Sequence, residues 1–144
     1  MVQTLDELVI EINKIDFINV DKILIKYNGE DWIKYIKIDN NYYFKNKIFG
    51  NNNFEIYIIT WNKNQNAPIH DHSSNGCWLK VLDGKLLEQK YSKELKLIST
   101  NILKKDDISY MDNTLGYHSI SNNYDNITVT LHVYNPPNHK TKFF

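Results

Sequence analysis

Several residue types are rare or missing in this chain of 144 residues. It contains no arginine, a single cysteine (Cys77) and a single alanine (Ala67). One cysteine excludes an intrachain disulfide bond and a zinc site built from several thiolates. Because no guanidinium group is available, a site for an anionic ligand must use lysine, histidine, tyrosine or backbone N–H groups.

The chain also lacks an excess of charge and a long apolar run. Its 17 lysines balance 17 acidic residues, whereas nucleic acids and anionic membranes attract proteins with a basic excess, so we expect neither as a partner. No apolar run approaches the ~18 residues of a membrane-spanning helix, and the first ten residues lack the layout of a signal peptide. We therefore expect a soluble, cytoplasmic protein, and a monomer because no heptad pattern marks an interface.

The first part of the chain, residues 1–38, has apolar residues at helical spacing. Thr4 and Glu7 form a capping box ahead of the first run. A second run from Asp21 to Asn28 and a third from Glu30 to Ile38 follow the same period. The pattern predicts two or three short helices.

From residue 42 onwards the pattern changes. Short runs rich in β-branched and aromatic residues alternate with Asn, Asp or Gly turns, and Asp83-Gly84 is typical of a hairpin. Many short strands at regular spacing favour a sandwich or a small barrel. The sequence thus predicts one mainly β domain over 1–144, in which the strands occupy 42–137.

Two histidines lie two residues apart, at His70 and His72. In the predicted strand over 69–73 these side chains project from the same face, because side chains of a strand alternate. Two imidazoles on one face provide half a metal site. The alternative is a pair of polar residues on a solvated edge strand, which is the commoner outcome for an isolated His-x-His.

The residues that follow favour a metal site. Cys77 and Gly84 come after the histidine pair, and Gly116-Tyr117-His118 precedes a later strand. This is similar to the layout of the cupin barrel. The segments PIHDHSSNGCWLKVLDGKLLE, GYHSI and TLHVYNPP further resemble thiol dioxygenases of the cysteine dioxygenase family, over about residues 43–134 and on to the double proline.

The resemblance implies a fold and an activity. The expected fold is a single cupin-type, jelly-roll-like small β-barrel preceded by the short helices. In the family three neutral histidines hold Fe(II). The corresponding residues in this chain are His70, His72 and His118. The expected reaction oxidises the thiol of L-cysteine to cysteine sulfinate with O2. Three imidazoles with an open position would equally suit zinc, so the ligand set alone leaves the metal open.

The resemblance also assigns residues around the metal. Cys77 corresponds to a cysteine that forms a thioether cross-link with a tyrosine, here Tyr134. His132 corresponds to a histidine that positions this tyrosine, and Thr130 stands where the family commonly has serine. Taken singly, each of these residues has an ordinary structural role as an alternative, such as a buried thiol or a core aromatic.

The main departure from the family lies at Lys45. Tyr43 and Lys45 align with a Tyr-x-Arg pair whose arginine binds the substrate carboxylate. A lysine keeps the charge but not the two-donor fork, so another small thiol such as 3-mercaptopropionate, or a non-catalytic cupin that binds a metal or metabolite, stays open as an alternative. Further expectations are a cis bond at Asn135-Pro136, a packing role for Trp61 and a surface position for His139.

Overall fold

The computed structural model describes residues 2–144, which contain two α-helices, two short 3-10 helices and nine β-strands. Within these residues, no helix combines the length and the apolar character that crossing a bilayer requires. The helices are α1 (Leu5–Ile12) and α2 (Val20–Leu24), and the 3-10 helices are Phe17–Asn19 and Ile33–Tyr35. The strands are β1 (Phe44–Gly50), β2 (Glu55–Trp61), β3 (Asn66–His70), β4 (Cys77–Asp83), β5 (Lys85–Tyr91), β6 (Leu97–Lys104), β7 (Ile108–Met111), β8 (Tyr117–Ser121) and β9 (Thr128–Tyr134).

Helix α1 begins where the capping box predicts, and α2 is shorter than its apolar pattern suggests. The Glu7 backbone N–H donates to Thr4 Oγ1 at 3.1 Å. After α2 the chain turns to pair with the N-terminal residues: Asn28 N–H donates to the Val2 carbonyl at 3.0 Å, and Val2 forms a parallel bridge with Tyr27. This pairing requires an extended backbone, which ends the predicted second helix before residue 28.

The predicted third helix over 30–38 is wrong, because only the 3-10 turn Ile33–Tyr35 forms there. The side chain of Asp31 is used instead to accept hydrogen bonds from the Leu5 backbone N–H (2.8 Å) and from the Tyr27 hydroxyl (2.6 Å). These contacts hold the segment against α1. The apolar spacing of 30–38 therefore reflects packing of a turn, not a continuous helix.

The strands form two sheets, which confirms the mainly β, jelly-roll-like prediction. One sheet has five strands in the order β1-β2-β9-β4-β7, and the other has four in the order β3-β8-β5-β6. Across residues 2–144 the sheets face each other as separate layers and do not join into one closed barrel. The grouping of 1–144 into a single domain stays a prediction.

The predicted hairpin at Asp83-Gly84 is wrong. Strands β4 and β5 flank this pair but belong to different sheets, so the turn is a corner between layers. Gly84 has a φ of +83°, and a Cβ there would lie 2.5 Å from Thr128 Oγ1. That hydroxyl accepts from the Lys85 backbone N–H at 3.1 Å. The glycine is needed for this close approach, not for strand pairing.

The apolar core has two parts. The helices pack on the outer face of the five-stranded sheet, against residues such as Ile56, Leu131 and Val133. The second part lies between the two sheets and includes Leu79 and Ile120. Strands β4 and β9 are buried on both faces, so polar side chains that alternate with the apolar ones on β9 point into the space between the sheets.

Candidate metal centre

The three histidines of the predicted metal site meet at one end of the four-stranded sheet. His70 is the last residue of β3, and its Cα pairs with that of His118 on antiparallel β8. His72 lies beyond the end of β3, so the strand predicted over 69–73 is placed three residues too far along the chain. The His72 backbone N–H donates to Asn113 Oδ1 at 2.9 Å, and Asn113 Nδ2 donates to the His72 carbonyl at 3.0 Å.

Each histidine offers a ring nitrogen to a common centre. The three ligand atoms lie within 4.8 Å of one another. The side chains of His72 and His118 are buried, with exposed fractions of 2% and 6%, and His70 is half-buried. The group could therefore hold a metal ion.

The hydrogen bonds of His70 and His118 show why a cation suits this centre. The Nδ1 atom of His70 lies 2.6 Å from the Pro68 carbonyl oxygen, and Nδ1 of His118 lies 2.8 Å from Glu88 Oε2. Carbonyl and carboxylate oxygens accept, so each Nδ1 carries the ring proton. The two Nε2 lone pairs then face each other at 3.1 Å. This separation fits two ligands of one metal, for which distances of ~2.0–2.1 Å to nitrogen place neighbouring ligands about 3.0–3.4 Å apart.

His72 supports the same conclusion. Both of its ring nitrogens are buried and have no hydrogen-bond partner within residues 2–144. Burial and the adjacent His118 and His70 rings lower the pKa of His72 to about 2. Burial likewise lowers the pKa of His70, and that of His118 well below 6.5. The rings are thus neutral imidazoles, which is the form that binds metals.

A second group of polar residues runs along β9. Thr130, His132 and Tyr134 alternate on this strand and face the space between the sheets. Thr130 Oγ1 lies 2.8 Å from His132 Nε2, and Tyr134 Oη lies 3.3 Å from His132 Nδ1. Trp61 Nε1 donates to Thr130 Oγ1 at 2.9 Å, so this tryptophan holds the group in place and does more than fill space.

Burial controls the charge of this second group. It lowers the pKa of His132 well below 6.5, with a further lowering from the Lys45 charge. It raises the pKa of the Tyr134 phenol well above 10, with smaller increases from Cys77 and Tyr43. At neutral pH the imidazole is neutral and the phenol keeps its proton.

Cys77 lies directly opposite Tyr134 across the β4–β9 pair. Residues paired in this way have Cβ atoms about 4.5–5.5 Å apart. The Sγ atom of Cys77 is buried and lies 3.8 Å from His132 Nδ1. Burial raises the pKa of the Cys77 thiol to about 12, against a lowering by Lys45 and by a hydrogen bond with Tyr134. The thiol is therefore neutral at physiological pH.

Lys45 lies on β1, in the same five-stranded sheet as Tyr134, and Tyr43 immediately precedes this strand. The Tyr43 ring stacks on Trp61 with centroids 4.6 Å apart. The Lys45 ammonium is 4.7 Å from the ring centroid of Tyr57 and 5.1 Å from that of Tyr134. Two aromatic faces therefore hold the cation beside the phenol, by the cation–π attraction.

One cavity connects these groups. Eight of the nine site residues singled out from the sequence line it: His70, His72, His118, Cys77, His132, Tyr134, Tyr43 and Lys45. Thr130 is the ninth and lies behind His132. The functional roles of all nine remain predictions.

Glu88 is the main residue that the sequence analysis missed. It is 1% exposed, in the middle of β5, and its carboxylate contacts the ring of His118. A signal was available, because alternation along β5 places Glu88 on the same inward face as Leu86. A charged residue at an inward position is unusual and indicates a partner in the interior.

His139 was expected at the surface, and it lies there only in part. His139 is partly buried, lines the cavity and lies 2.9 Å from Asp71 Oδ1 through its Nε2. Asp71 Oδ1 also accepts from the Lys142 backbone N–H at 2.8 Å. Asp71 stands between His70 and His72 in the sequence, so the end of the chain is tied to the segment that carries two of the three histidines. The Asn135-Pro136 bond that precedes this end is cis, as expected.

Comparisons with known proteins agree with this arrangement. The family model described as cysteine dioxygenase type I matches residues 1–144. Cysteine dioxygenase type 1 from Danio rerio is 30% identical over 152 residues, which cover 94% of this chain and 76% of the relative. The human protein of the same name is 31% identical over 135 residues, covering 85% of this chain and 68% of the relative.

Solved structures support the fold alone, because their sequence identities are low. A protein with a double-stranded β-helix domain from Klebsiella pneumoniae has a TM-score of 0.64 at 17% identity, covering 76% of this chain and 90% of its own. A cupin superfamily protein from Desulfitobacterium hafniense has a TM-score of 0.61 at 9% identity, and the match covers 75% of this chain and 90% of that protein's chain. The cupin-type prediction of the fold is confirmed.

Proposed function

The chain belongs to the cysteine dioxygenase type I family, and from this we propose that it oxidises the thiol of L-cysteine to cysteine sulfinate with dioxygen, using ferrous iron. Membership of the family makes the chain an oxidoreductase, a thiol dioxygenase. The observation that carries the finer proposal is the single cavity in which three neutral imidazoles face the Cys77–Tyr134 pair. A cytoplasmic location and a monomeric state stay predictions.

The iron would be held by Nε2 of His70, Nε2 of His118 and one of the two ring nitrogens of His72, which have no hydrogen-bond partner in the described residues. Three protein ligands leave open positions, as the two-histidine, one-carboxylate triad does. When bound, ferrous iron supplies coordination positions and the electron exchange that reaction with dioxygen requires. In the overall reaction both oxygen atoms are added to sulfur, which loses four electrons that dioxygen gains, and the thiol proton is retained by the sulfinic acid or released.

Lys45 and Tyr43 would orient the substrate. A substrate carboxylate beside the Lys45 ammonium would form an ion pair in a site that two aromatic rings partly shield from water. The Tyr43 hydroxyl offers a second donor next to it. This contact would hold the thiol end of the substrate toward the histidines, which converts a chance encounter into a fixed geometry.

Tyr134 would donate a hydrogen bond to the reacting end of the substrate. Its raised pKa keeps the phenol protonated. The Thr130 hydroxyl accepts from Trp61 Nε1–H and has its own proton to give to His132 Nε2. In that arrangement His132 donates from Nδ1 to the phenol oxygen, so the phenol proton is not used by His132 and can be donated to the substrate.

Cys77 and Tyr134 would form the thioether of the family. The Sγ–Cε bond replaces one S–H and one ring C–H bond, and the two hydrogens with their two electrons pass to dioxygen, which becomes peroxide. The cross-strand pairing supports this bond, because it holds the two side chains next to each other. A fixed link would remove the cost of ordering the phenol.

Sulfinate formation tests the proposal. Protein loaded anaerobically with Fe(II), then given L-cysteine and ¹⁸O2, is expected to yield cysteine sulfinate with both labelled atoms, as measured by mass spectrometry. His118→Asn is the control and should give none, because the third ligand is lost. No sulfinate from the wild-type protein with any small thiol would contradict the proposal.

A second substrate has one observation in its favour, the lysine at position 45. An ammonium tolerates any small carboxylate, so 3-mercaptopropionate fits Lys45 as well as cysteine does. Comparing kcat/KM for the two thiols decides between them, and cysteamine, which lacks a carboxylate, serves as the negative control. We expect cysteine to be preferred, because Cys77 is present and the cross-linking cysteine is usually absent from relatives that act on mercaptopropionate.

A further inference from the structure

Glu88 is a buried acidic residue that the proposed reaction does not use. Its exposed fraction is 1%, and no lysine forms an ion pair with it in residues 2–144. An isolated carboxylate in the interior is strongly unfavourable unless it is paired and fully hydrogen-bonded. A cation close to Glu88 would offset the cost of burying its charge.

Both oxygens of this carboxylate have defined partners. Oε2 lies 2.8 Å from Nδ1 of His118, and Oε1 accepts from the Ser109 hydroxyl at 2.8 Å. His118 is on β8, next to β5 in the same sheet, whereas Ser109 is on β7 in the facing sheet. Glu88 thus connects the two layers directly behind one of the three imidazoles.

The contact fixes which nitrogen of His118 faces the cavity. Because the carboxylate accepts, Nδ1–H donates to Glu88 and the Nε2 lone pair points to the centre, 3.1 Å from His70 Nε2. In residues 2–144 the other two histidines lack such a partner: Nδ1 of His70 donates to a neutral carbonyl, and neither ring nitrogen of His72 is hydrogen-bonded. Only His118 connects a negative charge to the site through its ring.

We propose that Glu88 is a positioning residue for the metal ion, acting through the Nδ1–H of His118. It fixes the ring and its tautomer, and it supplies at one remove the negative charge that three neutral imidazoles lack and that a directly bound carboxylate supplies in other non-haem iron sites. The inference rests on the proposed function, since it requires that the three histidines bind a metal.

Metal affinity of matched variants tests the inference without turnover. Glu88→Gln keeps the size and can keep both hydrogen bonds, but removes the charge. Ser109→Ala removes the hydrogen bond to the other oxygen and keeps the charge. In chelator competition with Co(II) and anaerobic Fe(II), we expect E88Q to bind the metal ten- to a hundred-fold more weakly, the usual effect of losing such a partner, and S109A to stay within a few-fold of wild type.

The outcomes separate the two proposals. Wild-type protein that binds neither metal overturns the proposed function and this inference together. Wild type that binds metal, with E88Q equal to it, overturns the role of Glu88 alone. Circular dichroism and thermal unfolding of the metal-free variants establish that they fold, and Glu88→Asp, which keeps the charge, should recover part of the affinity.

A second measurement needs no variant. In ¹⁵N-histidine spectra of the wild-type protein loaded with Zn(II), His118 should show a slowly exchanging proton on Nδ1 and the metal on Nε2. The reverse assignment, with Nδ1 bound to the metal, would overturn the inference even if E88Q did not fold.

Discussion

Lys45 stands where the resemblance to the family implies an arginine. Its ammonium lies 4.7 and 5.1 Å from the centroids of Tyr57 and Tyr134, and in residues 2–144 it forms no ion pair with an acidic side chain, so it is available to an anion. A lysine offers a point charge, whereas arginine would offer two parallel donors. Substrate binding should therefore depend on the charge more than on the geometry.

The dependence on charge predicts how substitutions at position 45 affect substrate binding. Lys45→Met should raise KM for L-cysteine about tenfold with a smaller effect on kcat, because one charged hydrogen bond is worth ~1–2 kcal/mol. Lys45→Arg should retain or improve binding. Lys37→Met is the matched control, since Lys37 also lies over an aromatic ring, 4.7 Å from Phe44, but does not line the cavity. An unchanged KM for Lys45→Met would exclude Lys45 from substrate binding.

Cys77 gives a second prediction at this scale, because it is the only cysteine. Its pKa of about 12 leaves a thiolate fraction of roughly 10⁻⁴ at pH 8. Native protein should therefore resist iodoacetamide at pH 8 and be alkylated only after denaturation. The fraction that stays unlabelled in denaturant should equal the cross-linked fraction found by peptide mass spectrometry. Alkylation of the native protein at the rate of a free thiol would contradict the buried, neutral state.

Sequence reasoning works for single residues where the chemistry is local in the chain. His70 and His72 share a motif, and Thr130, His132 and Tyr134 share a strand, so their grouping could be predicted. Glu88 could not be assigned a partner in the same way, because its contacts with His118 and Ser109 join three strands from two sheets. Its inward position was predictable, but its purpose was not.

At the scale of elements, the end of the chain is the least expected feature. Residues 139–144 pair with the open edge of β3: the Asp71 N–H donates to the Lys142 carbonyl at 3.0 Å, and the Phe144 N–H donates to the Ile69 carbonyl at 2.9 Å. A sheet edge left open is exposed to solvent and to pairing with other chains. This segment covers the edge that carries His70.

Removing residues 139–144 should therefore weaken the metal site without unfolding the chain. No residue of the segment belongs to either buried apolar cluster, whereas several hydrogen bonds to 69–71 are lost, each worth about 1 kcal/mol. We expect lower metal affinity and faster hydrogen exchange at 69–71. Lys140→Ala, at an exposed position of the segment, is the control and should match wild type. Unchanged exchange and affinity after truncation would show that the segment is not needed.

The elements were predictable to different degrees for physical reasons. Alternation and turn residues locate most strands, because each signal lies within a few residues. The corner at Asp83-Gly84 has the local signature of a hairpin, yet β4 and β5 separate because each has a better partner elsewhere in the chain. The helix predicted over 30–38 failed similarly, since Asp31 is committed to contacts with residues distant in the chain.

For the whole molecule, buried histidines make stability depend on pH. Burial lowers the pKa of His132 well below 6.5 and, with its neighbours, that of His72 to about 2; the pKa values of His70 and His118 are also lowered. Below about pH 6.5 the unfolded chain binds protons that the metal-free native state does not bind, so the free energy of unfolding falls as pH falls. The raised pKa of Glu88 has the opposite effect on the free energy of unfolding, because the native state binds this proton more readily than the unfolded chain does. It concerns one carboxyl group, whereas four histidines act in the first sense.

Urea unfolding of the metal-free protein between pH 7 and pH 5 measures this effect. Each such histidine should contribute up to roughly 1.4 kcal/mol per pH unit once the pH is well below 6.5. His132→Gln should show a shallower dependence than wild type, because one of the buried imidazoles is removed. A free energy of unfolding that stays constant or rises on acidification would contradict the neutral state of these rings.

The most direct test of the central claim is iron X-ray absorption of anaerobic Fe(II)-loaded protein, recorded before and after addition of L-cysteine. We expect one iron per chain with the scattering pattern of three imidazoles, and a new sulfur scatterer at bonding distance when cysteine is added. Iron without histidine scattering, or a spectrum that cysteine leaves unchanged, would contradict a three-histidine site that binds the thiol directly.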